Sequence, residues 1–123
     1  MNQFKKFNNI VGWLIFAIAS TVYIVTSEPT ASLWDCGEYI ATAYKLQVGH
    51  PPGAPFFQLM GNFFSLFAPS TAYVARMINT MSALSSGFTI LFLFWTITHF
   101  ARKILIKNSN IIIININPLI HTS

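Results

Sequence analysis

The sequence predicts an all-α integral membrane protein: two transmembrane helices joined by an external loop with short interfacial helices. Three observations carry that reading. The chain is 54% hydrophobic and only 8% charged, against about 25% charged residues in a soluble domain, so most of its surface faces something other than water. Two uncharged runs, 10–26 and 77–100, approach or reach the roughly 17–25 apolar residues that cross a bilayer core. The charges are also segregated. Lys5 and Lys6 precede the first run, and Arg102, Lys103 and Lys107 follow the second. All three acids, Glu28, Asp35 and Glu38, lie between the runs with Lys45 and Arg76. Because Lys and Arg collect on the cytoplasmic side of a membrane, both termini are expected inside and loop 27–76 outside. Basic residues this few, at membrane boundaries, exclude a nucleic-acid footprint. Cys36 is the single cysteine, so no intramolecular disulfide can form. It reads as a small packed residue of the loop.

Residues 1–9 form a basic anchor. The run 10–26 carries Trp13 and Tyr23 near its ends, as membrane interfaces favour. A cleavable signal peptide competes, but the apolar stretch is long for one and no Ala-x-Ala follows, so an uncleaved helix is expected. Glu28-Pro29 ends it, since proline disfavours helical geometry in the residue before it. Ser32 is the expected cap of a short surface helix over 33–48, with Asp35 three residues on in a capping-box position. Gly49-His-Pro-Pro-Gly-Ala-Pro55 fixes an extended, turning backbone. The Phe-rich run 56–68 is too short to span and suits a re-entrant or interfacial helix. Pro69 stops it and Ser70 can cap the next helix.

The clearest span, 77–100, has a small, polar first half (Asn79, Thr80, Ser82, Ser85, Ser86, Gly87) and a bulky second half, Phe88 to Trp95. Small residues let helices approach closely, so other membrane helices are expected partners besides the lipid bilayer. Residues 108–123 are low-complexity Ile/Asn sequence, readable as a β-prone tail, the start of a third span or a truncated end. No function is assigned to them.

Asp35 and Glu38 are three apart and share a face on a helix. Near an apolar boundary, desolvation raises a carboxyl pKa toward the range useful to a general base. His50, in a stiff loop twelve residues beyond Glu38, can fold back toward both acids. With Trp34, Tyr39 and Lys45 these make a polar pocket. The plain alternative is that both acids complement a helix dipole and that His50 is a solvated turn residue. Asp-x-x-Glu with a remote His lacks a diagnostic metal spacing. Neither a phosphate-binding glycine motif nor a nucleophile elbow is present, so no metal and no cofactor are expected.

Trp34-Asp-Cys-Gly-Glu-Tyr-Ile40 followed by Val48-Gly-His-Pro-Pro-Gly-Ala-Pro55 resembles the start of the DUF2723 membrane proteins. These are the protein O-mannosyltransferase-like glycosyltransferases of family 117, related to transmembrane protein 260. The resemblance covers about residues 8–105. It implies a multi-spanning enzyme of the GT-C superfamily that takes sugar from a polyprenyl-phosphate carrier, with an acidic catalytic residue in the first external loop. Carried over by motif, Asp35 is the first choice for the base and Glu38 the second. His50, Trp34, Tyr39 and Lys45 would bind substrate, and the acceptor would be a hydroxyl, of a protein among others. Family members are many-spanning bundles, so two spans imply an N-terminal, catalytic-loop portion that is inactive alone. A small membrane interaction subunit docking through its Met77–Gly87 face, or a nonfunctional truncation product, are the alternatives. A bacterial inner membrane is the expected location.

Overall fold

A computed structural model of the chain describes residues 2–32, 34–50 and 53–120, the last twelve by backbone alone. Four helices follow in order: α1 Asn2–Thr26, α2 Cys36–Lys45, α3 Pro55–Ser65 and α4 Val74–Ile120, with a 3₁₀ turn Thr71–Tyr73 leading into α4. Among the described residues no strand forms.

α1 begins well before the apolar run, because nothing in its polar, basic first turns breaks a helix. At 25 residues it is about 37 Å long, against a hydrocarbon core of about 30 Å. Among the described residues, two helical stretches are long and apolar enough to cross a membrane, Gln3–Thr26 and Thr71–Asn108. Their outward surfaces are greasy: Trp13, Leu14, Ile18 and Val22 on α1, and Phe92, Leu93, Ile97 and Phe100 on α4, are all exposed. An apolar face of that extent is not kept against water. Most of the hydroxyls within these helices fold back on their own carbonyls, the buried Ser20 hydroxyl excepted. Thr21 donates to Ala17 O at 2.7 Å, Thr80 to Arg76 O at 2.7 Å, and Thr96 to Phe92 O at 2.7 Å. Such back-bonding satisfies a polar group where lipid offers it no partner.

α1 and α4 run antiparallel. Trp13 meets Trp95 edge-on at 6.1 Å, and Phe16 meets Phe88 at 4.5 Å. Gly87 faces Ser20 and Phe16 where a side chain would collide, and a Cβ at Gly12 would stand 2.5 Å from the Trp95 indole nitrogen. At the loop end, the Asn79 side-chain amide donates to Glu28 O at 2.7 Å and to Thr30 O at 3.0 Å. That clamp fixes where the loop leaves α1.

α2 and α3 form a helical hairpin laid on the first turns of α4. Ala43, Val74, Ile78 and Met81 are its buried centre, flanked by Ile40, Tyr44, Phe57, Phe64 and Ala68. Asn62 donates to the carbonyls of Ala43 at 3.1 Å and Tyr44 at 3.0 Å, capping the C-terminal end of α2 from α3.

Four expectations are revised. Ser32 does not start α2: Asp35 is the N-cap residue, without a side-chain cap bond, and Trp34 turns the chain just before it with φ 65°. The helix is therefore shorter than 33–48. Ser70 does stand at the N-cap of the 3₁₀ turn, but its side chain makes no capping bond. The helix-contact half of the second span does not wait wholly for foreign helices: Ile78, Met81, Ala83 and Gly87 are buried within this chain, while Ser82, Ser85 and Ser86 remain exposed. The backbone of 108–120 continues α4, so it is helical rather than β, since extending a formed helix costs far less than nucleating one. In the proline-rich loop, Pro51 and Pro52 lie outside the described residues. Gly53 N–H donates to His50 O at 2.9 Å across them.

Candidate active site

α2 presents its first turn to the loop that follows it. Asp35 is the N-cap and Glu38 the third helical residue, the place from which a capping-box glutamate reaches back to the N-cap amide. Here Glu38 turns to His50 instead. Its Oε1 accepts the His50 backbone N–H at 2.8 Å, and its Oε2 lies 2.7 Å from His50 Nδ1. An ionised carboxylate can only accept, so Nδ1 carries the proton and Nε2 is left for other partners. Nε2 stands 4.0 Å from Asp35 Oδ2, which is a contact rather than a hydrogen bond. Gly49 makes the close approach possible, since a Cβ there would lie 3.1 Å from Glu38 Oε1 and 3.5 Å from the Gln58 amide.

Tyr39 closes one side, its ring edge-on to Phe57 at 5.7 Å and 6.5 Å from the His50 ring. Glu38, Tyr39, Thr42, Gly49, His50 and Gly53 line a narrow crevice. Thr42 Oγ1 donates to Glu38 O at 2.8 Å and accepts from Gln58 Nε2 at 3.2 Å, tying the acid-bearing turn to α3.

The electrostatics follow from this geometry. The His50 backbone N–H, and then its ring, hold the Glu38 carboxyl below the ordinary glutamate range. The hydrogen bond to Glu38, then its charge and that of Asp35, hold His50 above the ordinary imidazole value. For a group with a depressed pKa, stability is full above the unfolded value and lost as pH falls through the folded one. For a raised histidine it is full below the unfolded value and lost as pH rises through the folded one. The clip is therefore tightest between the reference values of about pH 4.3 and about pH 6.5. A ring-nitrogen NMR titration of His50 should show a midpoint above the ordinary histidine value, which falls toward that value in Glu38→Gln, where only the Asp35 charge still raises it. A midpoint that Glu38→Gln leaves unmoved would refute the pairing.

Asp35 differs from Glu38: among the described residues its carboxylate accepts no hydrogen bond. It is half-exposed, beside a fixed imidazole, with free lone pairs. One anchored acid, one free acid and an oriented histidine can place a hydroxyl and take its proton.

Three of the six residues expected at the site, Asp35, Glu38 and His50, come together, and Tyr39 lines the same crevice. Trp34 does not: its surface is 93% exposed, and it is not among the residues that line the crevice. Lys45 sits at the far end of α2, two turns from Glu38, with its ammonium 4.9 Å above the Tyr44 ring. Thr42 and Gly49 were not foreseen. Thr42 was legible as the residue one turn beyond Glu38, but Gly49 shows its purpose only in three dimensions. Nor did spacing along the chain reveal that Asp35, Glu38 and His50 each offer a ligand atom within 4.8 Å of the others. Two of those residues, Glu38 and His50, already bind one another.

Residues 35–120 match the family of protein O-mannosyl-transferase TMEM260 N-terminal domains, a stretch that begins at the acidic turn. A protein O-mannosyl-transferase tmem260 of Dictyostelium discoideum is 36% identical over 85 residues, covering 68% of this chain and 10% of that protein. The mouse protein O-mannosyl-transferase TMEM260 is 31% identical over 83 residues, again 68% of this chain and 12% of the relative. The chain thus spans about a tenth of the length of these relatives. Both come from eukaryotes, which lends no support to the bacterial membrane expected above. No solved structure matches. A helical hairpin presenting an Asp-x-x-Glu turn to a His-Pro-Pro-Gly loop, between two long apolar helices, accords with the resemblance read from the sequence, and the chain belongs to the family of TMEM260 N-terminal domains.

Proposed function

We propose that this chain is the first-loop, acid-bearing part of a membrane glycosyltransferase that moves a sugar from a polyprenyl-phosphate donor to a protein hydroxyl. α1 and α4 cross the bilayer, both ends face the cytoplasm, and the loop with α2 and α3 lies on the opposite side. What supports the chemistry is one observation: Asp35 stands unbonded 4.0 Å from the Nε2 of a histidine that Glu38 holds in place.

In this reading Asp35 is the general base. The acceptor oxygen attacks the anomeric carbon, and its proton passes to the Asp35 carboxylate. The bond from that carbon to the phosphate oxygen breaks, and the electron pair leaves with the lipid phosphate. Attack opposite the leaving group inverts the anomeric centre. Glu38 and His50 are positioning residues, the first kept anionic more readily by its hydrogen bonds from His50 and the second presenting Nε2 toward acceptor or phosphate.

Donor dependence tests the proposal. Membranes containing a full-length relative should transfer sugar to an acceptor peptide when given the polyprenyl-phosphate sugar. They should not do so when given only the nucleotide sugar with lipid-carrier synthesis blocked. Efficient transfer from the nucleotide sugar under that block would overturn the reading.

A further inference from the structure

The opposite end of the helix pair carries a second polar feature that the transfer reaction does not use. Where α1 and α4 leave their apolar runs, a cleft of about 290 Å³ opens between them, lined by Lys5, Asn8 and Asn9 from α1 and by Trp95, His99 and Arg102 from α4, among others. We propose that this cleft binds the phosphate of an anionic lipid headgroup. The inference rests on the reading that α1 and α4 span a bilayer, and it holds for whichever leaflet this end occupies.

Its position is the first argument. The cleft straddles the ends of the two uncharged runs, with Lys5, Asn8, Asn9 and Arg102 just outside residues 10 and 100 and Trp95, Thr98 and His99 just inside, which is headgroup depth for helices of this length. Its charge is the second. Lys5 and Arg102 converge from different helices. Among the described residues the only ion pairs involve His50 at the other end, and all three acids lie between the runs. Two cations are thus brought together without a protein counter-ion. Pre-organisation is the third. Arg102 is half-buried, and its guanidinium rests 4.9 Å from the centroid of the Phe4 ring. That contact fixes the head while leaving its N–H edge for an oxyanion. The Asn8 and Asn9 amides add neutral donors on the α1 wall. Basic pockets between membrane helices take anionic headgroups for these reasons.

Lys6, Lys103 and Lys107 crowd the same end, exposed like Lys5, but lie outside the cleft lining. They separate a shaped site from diffuse attraction, because removing two of them changes net charge as much as removing Lys5 and Arg102.

The full chain would be reconstituted in bilayer discs of phosphatidylcholine with a minor fraction of phosphatidylglycerol, and retained lipids read by native mass spectrometry. The intact chain should keep one phosphatidylglycerol in preference to phosphatidylcholine. K5Q/R102Q should weaken that preference by about tenfold or more, at a cost on the order of one charge contact per residue. K103Q/K107Q should leave it within about twofold of the parent by the same reasoning. Equal loss in both double variants, no headgroup preference, or displacement of the lipid by millimolar inorganic phosphate would overturn the site. Carbonate extraction of the same chain from vesicles reads the bilayer assignment separately. Release into the soluble fraction overturns the spanning reading and the site with it, whereas retention without lipid preference overturns the site alone. Circular dichroism of each variant in the discs confirms that helix content is unchanged.

Discussion

Asparagine at the position of Asp35 in a full-length relative is expected to slow sugar transfer by about 10²- to 10⁴-fold, the usual worth of a general base, with little change in donor affinity. The substitution keeps the shape of the side chain and removes only its capacity to take a proton. The fold should hardly notice, because the Asp35 side chain makes no capping bond and its carboxylate is 47% exposed. Glu38→Gln is the informative contrast. An amide still accepts one N–H from His50 but cannot accept both, so the imidazole loosens and loses its charge partner. A positioning residue treated this way should lower the rate less than Asp35→Asn. It should also shift the alkaline limb of the pH–rate profile downward, as the His50 pKa relaxes. The two effects discriminate sharply. Full activity in Asp35→Asn would remove the base assignment. A deeper loss in Glu38→Gln with an unshifted pH profile would hand the base role to Glu38, and the anchored geometry would then describe a resting state.

The order of those two roles was the part of the site that spacing could not decide. Three-residue separation put Asp35 and Glu38 on one helical face, and the stiffness of the Gly49–Pro55 loop made a fold-back of His50 credible. Which acid would be bound by the histidine depended on where the helix starts. Sequence placed that start at Ser32, whereas the left-handed turn at Trp34 moves it to Asp35, making Glu38 the residue aimed at the loop. A tryptophan in that conformation has no compositional signature. Lys45 shares a face with Glu38 by periodicity, but seven residues of helix put it about 10 Å along the axis from it. The long apolar helices were legible because an uncharged run of twenty-odd residues has few alternatives. The packing of α2 and α3 onto α4 was not, since it depends on a fully buried alanine and a glycine that read as filler.

That alanine–glycine contact carries the largest stability effect expected outside the crevice. Gly61 on α3 passes so close to α2 that a Cβ there would stand 2.9 Å from the Cβ of Ala43 and 3.7 Å from Ile78. Ala43 has no exposed surface, and a methyl on a helix backbone cannot rotate aside. Helix propensity alone favours replacing the glycine, by about 1 kcal/mol for alanine. Overpacking a rigid contact costs about 1–3 kcal/mol, so the clash should decide the sign. Gly61→Val is therefore expected to destabilise the hairpin by about 1–3 kcal/mol, and Gly61→Ala by less, as propensity offsets part of the strain. The loss should be largely recovered in Gly61→Ala/Ala43→Gly, where the opposing methyl is gone. Thermal or denaturant unfolding in detergent micelles would supply the cycle, whose coupling term isolates the contact. Gly61→Val at parental stability would show that α2 and α3 can part freely. The same separation would stretch Asn62 from the Ala43 and Tyr44 carbonyls and Gln58 from Thr42. Gly61→Val should therefore also lower the His50 midpoint toward that of free imidazole, joining a packing change a helix away to the charge of the crevice.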